Sequence, residues 1–144
     1  MITTFKNYEE GKDFKEVDAK KIRAQLKKIS PLLSFKFQNL GEGEHWIMIS
    51  NPELTSICPF SSYPDFGKIT IKYVPNKVCL ELKSFKLYIN AFREIKVFHE
   101  TLTEIIFQDF IEAVKPKKAK ITVKMNPRGN IKTICKKLYK IKEE

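Results

Sequence analysis

The chain has 144 residues, 42% of them hydrophobic, and a formal net charge of +10 at pH 7. This length predicts one domain with a real core, and the composition excludes a chain that is disordered throughout. No apolar run approaches the length of a membrane span, and no apolar leader opens the chain, so we expect a cytoplasmic protein.

We expect residues 1–144 to form a single domain, with a variable N-terminal region over residues 1–45 and a short basic tail over residues 131–144. The charge predicts attraction to polyanions, but few aromatic residues interleave the basic tail, which favours a solvated lysine-rich face over an RNA-binding platform. The three cysteines are odd in number and widely spaced, which argues against a disulfide framework.

The first predicted helix covers residues 19–30. Asp18 is a plausible N-cap, Pro31 ends the helix, and an apolar face is formed by Ile22, Leu26 and Ile29. A strand follows at residues 45–49. Three prolines then predict that residues 51–66 form an extended, rigid loop.

The second half alternates strands and helices. Residues 68–74 alternate apolar and polar side chains and predict a strand, whose antiparallel hairpin partner is expected at residues 78–82. Helices are predicted at residues 86–93 and 100–114, and the final strand at residues 119–125. This order indicates an α+β fold with an antiparallel sheet and helices on one face. Open sheet edges make homo-oligomerisation a reasonable expectation.

The residues with the clearest chemical potential lie between positions 51 and 100. Cys58 sits in a loop braced by Pro59, and Asp65 follows Pro64, so a thiol and an acid are held on rigid backbone seven positions apart. A cysteine nucleophile needs thiolate character, and a nearby acid can protonate a developing anion. Because no periodicity rule places the two side chains together, an incidental loop cysteine remains an open alternative.

Further candidates surround this pair. His99 and Glu100 open the long helix, and a carboxylate there matches two adjacent N–H donors of a heterocycle. Lys83, Lys86 and Arg128 are either solvated charges or contacts for cofactor phosphates. The chain has no Gly-x-Gly-x-x-Gly motif and no Walker loop, and its two histidines and isolated cysteines give no zinc spacing, so we expect no metal site.

Five segments resemble the NADPH-dependent 7-cyano-7-deazaguanine reductases, the nitrile reductases of queuosine biosynthesis, in their short single-domain subfamily. The segments occur in the family's order and are Pro52-Glu53-Leu54-Thr55-Ser56-Ile57-Cys58-Pro59, Tyr63-Pro64-Asp65-Phe66, Glu81-Leu82-Lys83-Ser84-Phe85-Lys86-Leu87-Tyr88, Phe98-His99-Glu100 and Asn126-Pro127-Arg128-Gly129.

The resemblance implies reduction of a nitrile to a primary amine with two NADPH, through a thioimide on Cys58 that Asp65 protonates, with His99 beside the reacting centre. It also implies two further sets of contacts. The substrate set is Glu100, Glu81, Leu82, Lys83 and Ser84, and the cofactor set is Lys83, Lys86, Arg128 and Gly129.

The resemblance also implies the tunnelling fold, in which subunits join their sheets into a barrel of stacked pentameric rings. This sequence departs from the family at Ser61-Ser62-Tyr63, where the usual residues are Thr-Gly-Gln, so we expect an altered loop backbone. Three rivals remain open. They are an amidine-forming enzyme of the same fold that acts on cyano-deazaguanine in tRNA, a zinc-dependent pterin-forming hydrolase of the same fold, and a basic RNA-binding module without catalysis.

Overall fold

The computed structural model of the protein describes residues 18–142. The first 17 residues of the predicted variable N-terminal region therefore lie outside the described range. The elements in chain order are α1 (Ala19–Ile29), β1 (Ser34–Lys36), β2 (Ile47–Ile57), β3 (Pro64–Val74), β4 (Val78–Leu80), α2 (Leu82–Ala91), a 3-10 turn (Phe92–Glu94), α3 (His99–Val114), β5 (Lys118–Met125) and β6 (Ile134–Lys140). Within this range, no helix combines the length and the apolar character needed to cross a membrane.

The central element is a four-stranded antiparallel sheet in the order β2-β3-β5-β6. One face of this sheet carries the buried side chains that alternate along the two inner strands, Ile69, Ile71, Tyr73, Ile121 and Val123. The apolar stripe of α3 joins the same core through Leu102, Ile105, Ile106 and Phe110. The predicted α+β fold with helices on one face is therefore confirmed.

The N-terminal helix α1 is docked by charged groups as well as by apolar contacts. Asp18 caps it by accepting a hydrogen bond from the backbone N–H of Lys20 at 2.9 Å. Arg23 pairs with Asp109 at 2.7 Å and with Glu112 at 2.8 Å, both on α3. The hydrogen bond from Arg23, with smaller contributions from Gln108 and Lys27, lowers the pKa of Glu112 to about 2. The predicted helix is confirmed, except that Ile29 is 64% exposed rather than on the buried face.

The predicted hairpin between residues 68–74 and residues 78–82 is wrong. Strand β4 pairs instead with β1, with Cys79 opposite Phe35, to form a separate two-stranded sheet. The neighbours of β3 are β2 and β5. The turn at Pro75-Asn76 is local and visible in the sequence, whereas pairing with β1 joins segments some forty residues apart, which local turn signals do not report.

The predicted loop over residues 51–66 is also wrong. Strand β2 continues to Ile57 and β3 begins at Pro64, so only a short loop separates them. Pro52 falls where the pairing register shifts, between Asn51 and Leu54, and Pro64 is the first residue of its strand. A bulge and a strand's first position are the places where proline is tolerated in a sheet, because no ladder hydrogen bond is lost there.

Two further boundaries differ from prediction. Residues 119–125 do not form the final strand, because β6 follows within the segment expected to be a basic tail and pairs with β5. Helix α2 begins four residues earlier than predicted, at Leu82. Glu81 caps it by accepting hydrogen bonds from the backbone N–H groups of Lys83 at 3.0 Å and Ser84 at 2.8 Å. The helix that begins at His99 rather than Glu100 agrees with the prediction within one residue.

Candidate active site

The loop between β2 and β3 begins with Cys58, and Asp65 is the second residue of β3. Ser56 lies directly opposite Asp65 and Ile57 opposite Pro64, so the hairpin closes just beyond this pair. Cys58 follows at the closed end of the hairpin, two positions after the residue that lies opposite the acid.

Asp65 is the centre of a charged cluster. Its residue exposure is 6%, and each carboxylate oxygen has a cationic or imidazole partner. The Nε of Arg128 forms an ion pair with Oδ1 at 2.9 Å, and the Nε2 of His99 lies 3.1 Å from Oδ2. With its proton on Nε2, the imidazole donates to the carboxylate. The structure therefore joins three predicted site residues that are separated by up to 63 positions in the chain.

His99 reaches Asp65 because the segment before α3 is tied to the hairpin. The backbone N–H of Ile57 donates to the carbonyl of Ile95 at 2.9 Å, and the N–H of Val97 donates to the carbonyl of Ile57 at 3.1 Å. These bonds bring the start of α3 beside the closed end of the hairpin. Thr103 then donates to the carbonyl of His99 at 2.8 Å, which fixes the first turn of the helix.

The loop that holds the thiol is tight. The backbone N–H of Cys58 donates to the carbonyl of Tyr63 at 2.8 Å, and the N–H of Ser62 donates to the carbonyl of Cys58 at 3.0 Å. Ser62 has a φ of 60°, the left-handed conformation that glycine adopts without steric cost. A serine therefore occupies a glycine-type conformation at the position where this sequence departs from the family. The Cys58 thiol is free and half-buried, which leaves it accessible to a small molecule.

Two contributors to this site were not predicted from the sequence. The hydroxyl of Ser56 is fully buried and has no hydrogen-bond partner within residues 18–142, although it lies opposite Asp65. An unpaired buried hydroxyl costs about 1–3 kcal/mol. The ring of Tyr63 lies 5.9 Å from the guanidinium carbon of Arg128. No spacing of residues in the sequence indicates either feature, because both depend on the strand register.

The segment Glu81 to Tyr88 is largely structural in this chain. Both carboxylate oxygens of Glu81 cap α2. The Ser84 hydroxyl donates to the carbonyl of Glu81 at 2.8 Å and accepts from the backbone N–H of Leu33 at 2.9 Å. The Tyr88 hydroxyl donates to Asp109 at 2.6 Å, and burial raises the pKa of this phenol well above its usual range. Contact of Glu81 or Ser84 with the substrate stays a prediction.

The remaining predicted binding residues lie on the surface. Leu82, Lys83 and Lys86 are exposed on α2, and Glu100 is exposed in the first turn of α3. Among the described residues, no hydrogen bond or ion pair joins Lys83 or Lys86 to the Asp65 cluster. Their roles towards substrate and cofactor stay predictions.

The turn after β5 places Arg128. Its Nη2 donates to the carbonyl of Pro64 in addition to the Nε bond to Asp65. The backbone of Arg128 exchanges hydrogen bonds with Ile131 at 3.0 and 2.9 Å. Gly129 has a φ of 55°, and a Cβ there would meet no atom within 4 Å, so the turn conformation rather than a close approach requires glycine.

The comparisons with known proteins point to one family. Residues 64–144 match the family model described as QueF-like protein. A protein of Prochlorococcus marinus (strain NATL2A) named NADPH-dependent 7-cyano-7-deazaguanine reductase is 46% identical over 105 residues, covering 73% of this chain and 74% of that protein. A protein of the same name from Trichodesmium erythraeum (strain IMS101) is 40% identical over 131 residues, covering 88% of this chain and 92% of that protein.

A solved structure supports the fold. The crystal structure of the archaeosine synthase QueF-Like in the apo form matches with a TM-score of 0.62 and 22% sequence identity, over 67% of this chain and 95% of that one. This likeness bears on the fold alone, which is the tunnelling fold that the resemblance implies. The family match begins at Pro64, the first residue of β3, and includes Asp65, His99 and Arg128. The chain therefore belongs to the QueF-like protein family.

Proposed function

We propose that this protein reduces the nitrile of 7-cyano-7-deazaguanine to an aminomethyl group, using two NADPH, as a step of queuosine biosynthesis. The names of the relatives support this reaction, and the observation that carries it here is the buried Asp65, paired with His99 and Arg128 beside the loop that holds Cys58. A half-buried thiol next to an acid suits addition to a carbon–nitrogen triple bond.

The first step uses only residues of this chain. The Cys58 sulfur attacks the nitrile carbon, a sulfur–carbon bond forms, and one carbon–nitrogen π bond opens. The Asp65 carboxylate accepts the proton that the thiol loses and passes it to the nitrogen, so the step balances and the product is a neutral thioimide. His99, 3.1 Å from Asp65, is placed to hold the carboxyl in position and to return a proton to it.

Conversion of the thioimide to the amine needs two hydrides, and NADPH supplies them when bound. Lys83 and Lys86 fit its phosphates, because they lie three positions apart on α2, share one side of the helix and are exposed. Glu100, exposed in the first turn of α3, is the proposed acceptor for the two N–H groups of the base. The thiol must stay reduced for this chemistry, which the proposed cytoplasmic location provides.

The test is a stoichiometric count. Purified protein mixed with 7-cyano-7-deazaguanine and NADPH is expected to oxidise two equivalents of NADPH for each nitrile consumed, measured by absorbance and by chromatography of the base. The same protein incubated with cyano-modified tRNA and ammonia is the matched control and is expected to form no amidine. Amidine formation on the tRNA, without NADPH oxidation on the free base, would assign the chain to the amidine-forming reaction instead.

We also propose that the protein works as a homo-oligomer built by joining sheet edges, with stacked pentameric rings as the expected form. In β6 the backbone groups of odd-numbered residues face β5, since Met125 N–H donates to the Thr133 carbonyl and Ile141 N–H to the Lys117 carbonyl. The backbone groups of Lys136 and Leu138 therefore face away from the sheet, because the two directions alternate. Such an edge is a template for a strand of another subunit.

A proline tests this edge without disturbing the fold. Lys136→Pro removes an outward N–H and leaves the bonds between β5 and β6 intact, which is the kind of position where edge strands tolerate proline. We expect the wild type and Lys136→Ala to sediment as one oligomer and Lys136→Pro to sediment at a lower mass. A monomeric wild type would refute the oligomer, and an unchanged mass for the proline variant would exclude the β6 edge.

A further inference from the structure

We infer that Arg128 is a positioning residue for the acid Asp65 rather than a contact for cofactor phosphates. The inference deepens the proposed reductase function and rests on it for the role of Asp65. It assigns to Arg128 a part in formation of the thioimide, a step in which no cofactor takes part.

The contacts of Arg128 all lead to the acid and to the backbone next to it. The Nε forms an ion pair with Asp65 Oδ1 at 2.9 Å, and Nη2 donates to the carbonyl of Pro64, the residue before the acid. A guanidinium that holds a carboxylate and the neighbouring carbonyl at once fixes both the side chain and the backbone of the acid. Lysine has no planar fork and does not reproduce this pair of bonds.

The arginine is itself held on two sides. Its backbone exchanges hydrogen bonds with Ile131 in a turn closed by Gly129, and its guanidinium lies over the ring of Tyr63. Tyr63 also accepts the backbone N–H of Cys58 through its carbonyl at 2.8 Å. Arg128 therefore links the loop that carries the nucleophile with the strand that carries the acid, and the bulky Tyr63 supplies part of that link.

Asp65 needs such a partner. Its side chain is 8% exposed, so water contributes little to its solvation, and a buried carboxylate without hydrogen bonds is strongly disfavoured. His99 contacts only Oδ2, which leaves Oδ1 to Arg128. Lys83 and Lys86 have no such engagement among the described residues, so the cations proposed for the phosphates and the cation that holds the acid are different side chains.

The experiment measures thioimide formation without NADPH. Protein and 7-cyano-7-deazaguanine are mixed by stopped flow, and the rate of the adduct absorbance band is followed. Arg128→Met keeps the aliphatic stem of the side chain. We expect it to lower the rate at which the band forms by at least about ten-fold, towards the roughly hundred-fold cost of a misplaced catalytic group. Arg128→Lys is expected to recover part of the rate. Lys132→Met, an exposed cation of the same turn, is the matched control and is expected to leave the rate unchanged.

Two more variants show whether Arg128 acts through Asp65 and Tyr63. In an Asp65→Asn background, Arg128→Met is expected to slow the adduct by less than about two-fold, because residues that act through one another are not additive. Tyr63→Ser is expected to lose about two- to five-fold in the rate, the range of an exposed cation–π contact.

The outcomes separate this inference from the proposed function. If Arg128→Met forms the adduct at the wild-type rate and instead raises the KM for NADPH, as expected for Lys86→Met, the inference is overturned and the reductase proposal stands. If the wild type forms no adduct, the covalent step of the proposed function fails. In that case the inference is tested by the nuclear magnetic resonance signals of the His99 imidazole, which are assigned by comparison with His45→Gln. If Arg128 orients Asp65, Arg128→Met shifts these signals and Lys132→Met does not. Unchanged signals in Arg128→Met overturn the inference.

Discussion

Replacing Cys58, the proposed nucleophile, is expected to abolish the proposed reaction. Cys58→Ala should form no absorbance band with the nitrile alone and should lose turnover by at least roughly three orders of magnitude, as expected when the covalent intermediate cannot form. The loop geometry should survive, because Cys58 contributes its backbone N–H and carbonyl to the turn and both remain in alanine. The measurements are stopped-flow absorbance and steady-state NADPH oxidation.

The matched control for Cys58→Ala is Cys135→Ala. Cys135 is also a free, half-buried cysteine, but it lies on β6, paired with Val123. We expect it to retain the adduct band and turnover. A band of normal amplitude in Cys58→Ala would mean that another group binds the nitrile, and the covalent role of Cys58 would then be excluded.

Removing Asp65, the proposed acid, is expected to have the second largest effect. Asp65→Asn has the same shape but cannot supply the proton that the thioimide nitrogen requires. We expect adduct formation and turnover to fall about 10²- to 10⁴-fold, the usual contribution of a general acid. The KM for NADPH should change little, because Lys83 and Lys86 lie on a different element. Single-turnover experiments give the rate of adduct formation, and steady-state kinetics give the turnover rate and the KM for NADPH.

Glu53→Gln is the control for the loss of the acid. Glu53 is a carboxylate on β2 of the same hairpin, with a side chain 75% exposed and only a 3.9 Å ion pair to Arg93. Its neutralisation should leave the adduct rate near the wild-type value, since exposed pairs contribute little. If Asp65→Asn forms the adduct at the wild-type rate and unfolds at a normal thermal midpoint, another group transfers the proton.

The helices could be predicted because their signals are local. Asp18 caps α1 and the apolar stripe of α3 recurs at helical spacing, so both helices were located to within one residue at their starts. Helix α2 was placed too late because its cap is Glu81, a residue outside the usual set of N-caps. Helix formation depends on neighbours three and four residues apart, and a sequence displays these directly.

Strand pairing was predicted less well because it is not local. The alternation of residues 68–74 identified a strand, but nothing in the sequence says that β4 pairs with β1. The sequence predicts a basic tail where β6 lies, because lysines on both faces of the strand obscure its alternation. Lys137 lies on the inner face with its ammonium 4.6 Å from the centroid of the Phe107 ring, and an edge strand tolerates such a cation.

The candidate site shows the same division. The sequence supplied the residue types, and the family motifs supplied the expectation that Cys58, Asp65 and His99 act together. The ion pair of Arg128 with Asp65 depends on how β3 and the turn after β5 meet, whereas the family resemblance implies that this arginine contacts phosphates. The buried Ser56 hydroxyl was missed for the same reason, since only the register of β2 against β3 places it opposite the acid.

The most direct test of the account is a crystal structure of the protein with 7-cyano-7-deazaguanine bound in the absence of NADPH. We expect continuous density between the sulfur of residue 58 and the former nitrile carbon, with a carboxylate oxygen of Asp65 within about 3.2 Å of the thioimide nitrogen. A base bound without that bond, with Cys58 and Asp65 in separate pockets remote from the nitrile, would contradict the account.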